Sequence, residues 1–354
     1  MNNFLTKSVL ICIIGLSITS SVFADQIVKL RRNPRFSYEH TLEYDNNIFL
    51  YSPEALEEFR NNIRSYRFPF RTTDDLIANY KIRFTLPLRI FKKRSDILIN
   101  YSAKVYTVNT AKSYQTINPS LQIQLVPNFT FRLSYLLIPN YLIRYYKDPQ
   151  SSRSQYIPCQ FTEHLFTSTI WYKFARITIS PRVRYEFDDY IKKFNFYDGT
   201  AWRYGIRISL PVTKNILLHP DWERKHNNAA GPVPDISYCE DKFSCDWQIN
   251  FSGKITLEST VEYAIRRYIT TNPPTIDPYH YQRKDAQYSF NINLSYRLKN
   301  NWQLFGKYLY ALRKTTSPLL IDITEIKDYN NYKISFGVGY NMSINVAEKQ
   351  EDTQ

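Results

Sequence analysis

Basic side chains at every second position are the residues of this sequence with the clearest chemical potential. Arg182 and Arg184 alternate with apolar residues, and Arg203 lies in the similar segment that follows. Because side chains of an extended strand point alternately to opposite sides, such arginines would share one face of a sheet. Neighbouring guanidinium groups can bind carboxylates or phosphates through paired hydrogen bonds. Pairing with Glu186 and Asp188 on the same face is at least as good an interpretation.

The same alternation places further basic residues on one face of other segments. If this face encloses a cavity, basic rings would bias the cavity toward anions. Cross-pairing of basic and acidic residues into a filled, closed interior is the alternative. The candidate lumen-lining and anion-interacting residues are Lys81, Arg83, Lys104, Arg132, Arg176, Arg182, Arg184, Arg203, Arg207, Arg266 and Lys333.

Metal and cofactor chemistry have little support in the sequence. The histidines are scattered, without the paired spacing that metal ligands show. Acidic residues of the segment 225–245, together with Asp45, could bind Ca²⁺, but acidic loop residues are usually solvated. We therefore expect neither a metal site nor a cofactor. The residues concerned are His40, His164, His219, His226, His280, Asp235, Glu240, Asp241 and Asp246.

Catalysis and nucleic-acid binding are also not expected. His40 and His164 lie in or near alternating segments, yet no G-x-S-x-G nucleophile motif accompanies them, so a barrel hydrolase is disfavoured. The basic residues are spread at period two over many segments instead of forming a basic arm or helix. The sequence therefore predicts a protein that is not an enzyme and does not bind nucleic acid.

Composition limits the class of protein further. The chain has 354 residues, a net charge of +14, 30 Tyr, 22 Phe and only 8 Gly. This excludes a disordered tail, a collagen-like fibre and a disulfide-stapled miniprotein. After the first two dozen residues, no run approaches the ~18 apolar residues of a membrane-spanning helix. A helical transporter is excluded.

Residues 1–24 have the pattern of a signal peptide. Lys7 precedes an apolar stretch from Val9 to Ile18, and Val22-Phe23-Ala24 fits a signal-peptidase site before Asp25. Cleavage would remove Lys7 and lower the net charge from +14 to +13. In the oxidising setting that export implies, Cys239 and Cys245 could close a small loop, with an alternative in which they stay unpaired.

The remaining chain alternates apolar and polar residues over unusually long segments. From Leu76 to Leu88, even-numbered positions are apolar or aromatic and odd-numbered ones are mostly polar. Such runs last about 12–17 residues, whereas strands of soluble proteins average about 5–6. A tilted strand that crosses a bilayer needs about 9–11 residues and often extends beyond it. Strand length therefore favours a membrane barrel over a sandwich.

The number and spacing of the segments support the same fold. We predict an all-β, transmembrane antiparallel up-and-down β-barrel of about 14 strands, with 12–16 as the range. Tight connections alternate with long ones, including 45–74 and 225–245, as periplasmic turns alternate with outer loops in such barrels. The sequence also predicts a short helix over Pro53–Asn62 and a bulge at Pro181.

These features resemble the bacterial outer-membrane β-barrel class, porin-like in layout, over about residues 35–346. The resemblance implies a signal peptide at 1–24, a barrel with long outer loops at 25–347 and a polar tail at 348–354. It implies localisation in the outer membrane, contact with lipid and lipopolysaccharide, and a passive channel for small polar or anionic solutes with mild anion preference. Self-association into a homo-oligomer is compatible with this class. The alternative is a non-conducting structural, assembly or surface-recognition barrel.

Overall fold

The computed structural model describes residues 28–30, 33–151, 155–319 and 327–344. The predicted signal peptide at 1–24 and the tail at 348–354 lie outside the described residues. The strands are β1 (Val28–Leu30), β2 (Arg35–Asp45), β3 (Asp75–Ile90), β4 (Lys93–Tyr106), β5 (Tyr114–Val126), β6 (Phe129–Lys147), β7 (Tyr156–Phe174), β8 (Ile177–Tyr190), β9 (Gly199–Pro211), β10 (Ile216–Ala229), β11 (Tyr238–Asn250), β12 (Ile255–Tyr268), β13 (Lys284–Arg297), β14 (Trp302–Thr316) and β15 (Tyr329–Ser343).

Strands β2 to β15 form a closed ring of fourteen. Each pairs antiparallel with its neighbours in chain order, and β15 returns to β2 with Phe336 opposite Leu42. The short β1 pairs with the end of β3, where Val28 lies opposite Ile90. The predicted all-β, up-and-down barrel of about fourteen strands is confirmed. Closure leaves the ring without the unpaired edge that an open sheet would expose.

Short and long connections alternate around this ring. The turn between β3 and β4 consists of Phe91 and Lys92, whose φ angles of 48° and 62° match the two-residue hairpin turns that fit twisted strands. The other end of the barrel carries the longer connections, the longest of them at 46–74. The predicted alternation of connection length is confirmed, and both ends of the barrel sequence, at β2 and β15, lie on the tight-turn side.

Helix α1 (Pro53–Arg60) lies within the first long loop. The Ser52 hydroxyl accepts a hydrogen bond from the Ala55 backbone N–H at 3.2 Å, and a proline occupies the first turn. Both features favour helix initiation because the first backbone N–H groups have no partner within the helix. The predicted helix over Pro53–Asn62 is confirmed and ends two residues earlier than expected.

The segment 225–245 differs from its prediction as a long loop. Strand β10 continues to Ala229 and β11 begins at Tyr238, which leaves only 230–237 as a connection. The alternation is obscured there because the outward face becomes charged, with Arg224 and Arg267 both 3.0–3.1 Å from Asp241. The sequence prediction requires one apolar face in each strand. It therefore assigns these charged strand ends to a loop.

Two smaller expectations are also wrong. Cys239 and Cys245 lie six residues apart on the same strand, β11, so they cannot close a loop, and within the described residues they and Cys159 are free thiols. Pro181 causes no bulge, because the register of β8 against β7 is the same on both sides of it. The bulges of this region lie in β6 instead, between residues 138 and 144.

The two faces of the barrel differ sharply in chemistry. The outward face carries a band of exposed apolar and aromatic side chains, far larger than the isolated apolar residues of ordinary soluble surfaces. We call it the apolar belt. Its exposed members include Leu42, Leu76, Tyr80, Leu133, Phe166, Val183, Trp202, Tyr204, Val261, Tyr288, Leu294, Tyr308, Ile334 and Phe336.

Candidate functional site: the charged lumen

The side chains between those of the apolar belt enclose the lumen. Along β8, β9 and β10 they form a continuous charged surface, which we call the ion-pair wall. Register explains its continuity, since Arg184 lies opposite Arg203, and Arg203 lies opposite Lys225. Three basic side chains in a row would repel one another, so acidic partners must lie between them. The wall consists of Arg182, Arg184, Glu186, Arg203, Asp221, Glu223 and Lys225.

Arg182 of β8 reaches across a whole strand to acids of β10. Its guanidinium donates to both Asp221 carboxylate oxygens at 2.6 and 2.7 Å and to Glu223 at 3.0 Å. Gly205 of β9 lies opposite both Arg182 and Glu223 in the register. A Cβ on Gly205 would approach the Trp222 carbonyl oxygen to 2.5 Å. The absence of a side chain at this position leaves room for the guanidinium to cross.

The other acids of the wall are shared in the same way. Glu223 also pairs with Arg184 at 3.0 Å, and Glu186 accepts from Lys225 at 2.7 Å and from Arg203. Glu223 and Glu186 are almost inaccessible, with exposed fractions of 4% and 5%. The arginines of this wall therefore have carboxylate partners, and the surface is a network of compensated charges rather than a purely cationic one.

A second group of ion pairs lies on the strands around the closure of the ring. Glu39 of β2 accepts from Lys81 of β3 and from Lys307 of β14, each at 3.0 Å. Glu43 pairs with Lys104 at 3.1 Å, and Lys333 lies 2.6 Å from the Asp45 carboxylate. One carboxylate between two ammonium groups gives each a charged partner and leaves one net positive charge over the three groups. Three more of the predicted lumen residues, Lys81, Lys104 and Lys333, are thereby placed in paired contacts.

The remaining candidates differ in their partners. Arg207 pairs with Asp246 at 2.7 Å, and Arg266 pairs with Glu240 at 2.8 Å. Arg83 instead donates to the Asn100 amide oxygen at 2.9 Å, and Arg132 donates to the Gln122 amide oxygen at 3.1 Å. A neutral amide satisfies the donor but does not compensate the charge. The partners in these pairs are residues of neighbouring lumen-facing rows.

Arg176 does not belong to the lumen wall. It is exposed in the tight turn between β7 and β8, because β8 begins only at Ile177. The alternating pattern extends through the turn in sequence, whereas the extended strand does not.

One aromatic residue of β7, Trp171, faces the lumen. The Arg132 guanidinium lies 4.7 Å from the centre of its ring.

Sequence reasoning missed several residues that complete the network. Asp221 and Glu223 alternate with Pro220 and Trp222, so the pattern that identified the other strands also contains them. Lys307 was harder to predict as a lumen residue. Phe305, two residues earlier on the same face of β14, is apolar, so this face does not look polar in the sequence. Gly337 accommodates that ring, since a Cβ there would meet it at 2.5 Å.

A cavity of about 570 Å³ lies inside the barrel between the walls formed by β2–β4 and β12–β15. Charged, amide and hydroxyl groups from both sides line it, including Lys81, Arg83 and Lys307. A cavity with this lining can hold water and polar solutes, whereas an apolar cavity would stay dry.

The outer end of the lumen has a different character. The first long loop, 46–74, folds inward and packs apolar side chains against the wall, with the Phe49 and Phe70 ring centres 4.4 Å apart. Arg144 of β6 fastens this loop by donating to the Leu50 carbonyl oxygen at 3.0 Å. We call this cluster the mouth core. Its buried members are Ile48, Phe49, Tyr51, Ala55, Leu56 and Phe68 of the loop with Ile77, Tyr106 and Leu142 of the wall.

Lys112 supports the mouth core from the next outer loop. Its ammonium donates to the Leu142 and Ile143 carbonyl oxygens at 2.6 and 2.7 Å and lies 5.3 Å from the Phe49 ring centre. Burial, together with the neighbouring charge of Arg144, lowers the pKa of Lys112 to about 7. This loop residue can therefore change its charge near neutral pH.

Over the described ranges, no group of three or more His, Cys, Asp or Glu side chains is arranged to hold a metal ion. Asp241 and Asp246, the candidate Ca²⁺ ligands, are instead ion-paired with Arg224 and Arg207.

Of the helices in the described part of the chain, none has the length and apolarity of a membrane-spanning helix.

Comparison with known proteins shows likeness at the level of fold. No protein-family model matches the chain, and no curated protein matches it. Similar solved structures include the outer membrane channel DcaP of Acinetobacter baumannii, with a TM-score of 0.47 and 11% identity over 90% of this chain and 98% of that chain. An anion-selective porin from Comamonas acidovorans has a TM-score of 0.42 and 6% identity over 89% of this chain and 100% of that chain. OmpT with loop L8 deleted, an outer membrane protein of Vibrio cholerae, has a TM-score of 0.45 and 8% identity over the same fractions. No property of those proteins is extended to this chain.

Proposed function

We propose that the chain is an outer-membrane, porin-like channel for the passive diffusion of small polar solutes. The observation that carries this proposal is the contrast between the two faces of one closed ring, an exposed apolar belt outside and a charged lumen with a cavity of about 570 Å³ inside. A bilayer offers no water to unpaired backbone groups, so a spanning sheet must close on itself. A charged interior is stable in such a barrel when water fills it.

The surroundings follow from the same proposal. The signal peptide at 1–24 would direct export, and the apolar belt would contact membrane lipid. At the outer ends of β10–β12, Arg224 and Arg267 flank the single carboxylate of Asp241 and remain more than 40% exposed. This outward basic excess supports contact with the phosphates of lipopolysaccharide, because guanidinium groups bind phosphate through paired hydrogen bonds.

The mild anion preference is proposed to come from Arg83 and Arg132. Arg83 and Arg132 donate to the neutral amides of Asn100 and Gln122, and Asp96 is an acidic neighbour of Arg132, whereas Arg182 and Arg184 form ion pairs with acids of β10. A charge without a compensating carboxylate acts on passing ions more strongly than one inside an ion pair.

Planar-bilayer recording tests both parts. Purified protein should give stepwise conductance, and in a KCl gradient Arg83→Gln with Arg132→Gln should move the reversal potential toward cation preference. Arg176→Gln, in the exposed turn, is the matched control and should leave it unchanged. An unchanged reversal potential in the double variant would end the anion-preference proposal.

The runner-up function is a non-conducting surface-recognition barrel, and the mouth core is the observation that favours it. The loop 46–74 packs across the outer end of the lumen and would narrow or close it. Folded protein without any conductance would favour this alternative. Folding is checked by gel migration, since an intact barrel in detergent migrates differently before and after heating.

A further inference from the structure

The lining of the lumen cavity carries many hydrogen-bonding groups that a simple anion pore does not require. Four amide residues line it, and serine hydroxyls add further hydrogen-bonding groups; the amides are those of Asn100, Asn293, Gln303 and Asn341. Phe305 adds one aromatic side chain, over which the Lys307 ammonium lies at 4.4 Å. Amides and hydroxyls both donate and accept hydrogen bonds, so this lining suits a solute that carries both kinds of group.

The charges of the cavity fall into two kinds. Glu39 is ion-paired with both Lys81 and Lys307, so each of these three groups has a charged partner and the three together keep one net positive charge. Arg83 and Glu258 are different, because Arg83 donates to the amide of Asn100 at 2.9 Å and Glu258 accepts from the amide of Asn293 at 2.9 Å. Arg83 and Glu258, whose hydrogen-bond partners are neutral amides, therefore offer one cation and one anion at the same cavity.

The positions of these two charges in the ring separate them across the lumen. Arg83 is on β3 and Glu258 is on β12, and β2, β15, β14 and β13 lie between them in the sheet. They are too far apart along the wall to be neighbours in a ladder, yet both border one cavity of about 570 Å³. That volume lies within the range of small-molecule sites in proteins.

We propose that this cavity is a binding site for small zwitterions that carry one carboxylate and one ammonium group, such as amino acids and short peptides. The guanidinium of Arg83 receives the carboxylate, and the carboxylate of Glu258 receives the ammonium. The amides of the lining bind the peptide or side-chain polar groups, and Phe305 contacts the apolar part. The proposal deepens the channel function above and rests on it for the delivery of the solute.

This chemistry predicts dependence on both charges of the solute. A site with two fixed, opposite charges loses one charge-assisted contact when the solute lacks the matching charge. Dialanine should therefore bind better than either N-acetyl-dialanine, which lacks the ammonium, or dialanine amide, which lacks the carboxylate.

Isothermal titration of the folded full-length barrel in detergent with these three probes is the test. We expect dialanine to bind at least tenfold more tightly than each singly charged analogue. Arg83→Gln and Glu258→Gln should each weaken dialanine binding about tenfold. Arg176→Gln and Glu57→Gln, both at exposed positions that do not line the cavity, should not change it. Migration before and after heating verifies that every variant is folded.

The outcomes separate this inference from the channel proposal. Equal binding of dialanine and N-acetyl-dialanine would show a general anion site and overturn the zwitterion site. Conductance without dialanine binding would overturn the site and leave the channel standing. Dialanine binding with the expected variant effects, in a barrel that never conducts, would support the site and overturn the channel.

Discussion

The mouth core and the ion-pair wall both occupy the lumen side of one barrel, the first at its outer end and the second along β8–β10. In the mouth core, apolar groups of a long loop pack against Ile77 and Leu142, and the interaction is non-directional. In the ion-pair wall, each acid has defined partners, and Gly205 makes room for one of them. The mouth is therefore packed with apolar side chains, whereas the interior wall is lined with ion-paired charges.

The difference also separates what each region stabilises. The mouth core joins a loop to a ring that is already closed by strand pairing, so its loss should free the loop without opening the ring. The wall lies on three neighbouring strands, so its loss should act on the ring and, in the proposed channel, on the ions that pass it.

The largest effect is expected for Phe49→Ala in the mouth core. Phe49 is 2% exposed, and truncation of a buried phenylalanine costs about 3–5 kcal/mol because a cavity replaces its packing. The loop 46–74 should become sensitive to protease, and channel conductance should rise. Heat-modifiable migration of the barrel should persist. A loop that stays protected would show that the apolar packing does not hold it.

A smaller effect on stability but a larger one on selectivity is expected for Glu223→Gln in the wall. The change removes the carboxylate shared by Arg182 and Arg184 and leaves buried positive charge. We expect a cost of about 2–4 kcal/mol, less than in a dry interior because the lumen of the proposed channel would be filled with water. The reversal potential in a KCl gradient should shift toward anions. Protease protection of the loop 46–74 should remain as in the unmodified chain; its loss would show that the two regions are coupled.

Solution pH should act on the mouth core through Lys112. The pKa of Lys112 is lowered from its ordinary 10.5 to about 7 by burial, so between these values the unfolded loop binds more protons than the folded one. Stability of the loop packing should therefore rise as the pH increases from about 7 toward 10.5 and stay at its lower level below 7. Cleavage of the loop, normalised to an unstructured peptide, should slow over this range, and Lys112→Met should abolish the change. A pH dependence that survives in the variant would exclude Lys112 as its source.

The smallest effect is expected at the ion pair between Lys314 and Asp328 at the outer end of β14 and β15. Its atoms are 3.5 Å apart and the lysine is 63% exposed, so Lys314→Gln should change the free energy of unfolding by less than about 1 kcal/mol. Denaturant titration of both variants compares the loss in free energy of unfolding caused by Lys314→Gln with the loss caused by Glu223→Gln. Equal losses at the two sites would mean that burial in the wall adds nothing to an ion pair.

The barrel itself was predictable from the sequence, because period-two alternation and connection length are local properties. Arg182 and Arg184 were placed on one face for the same reason. Their partners on β10 were not predictable, since they depend on register across β9 and on the missing side chain of Gly205. The outer end of β10 was not predicted, because Arg224 is charged at an outward position where the alternating pattern requires an apolar residue.

The mouth core shows the same limit. Ser52 and Pro53 announce the start of α1, and the aromatic content of the loop is visible in the sequence. The contact of Phe49 with the distant wall residue Tyr145, whose ring centre lies 5.9 Å away, forms only when the ring has closed. Lys112 likewise reads as an ordinary loop lysine until its burial between the loop and β6 is known.

Single-channel recording of the unmodified chain beside Phe49→Ala, both checked for folding, tests the account most directly. A water-filled charged lumen restricted by an apolar mouth should give discrete current steps in the unmodified chain and larger steps in the variant. Folded protein that carries no current in either form would contradict it.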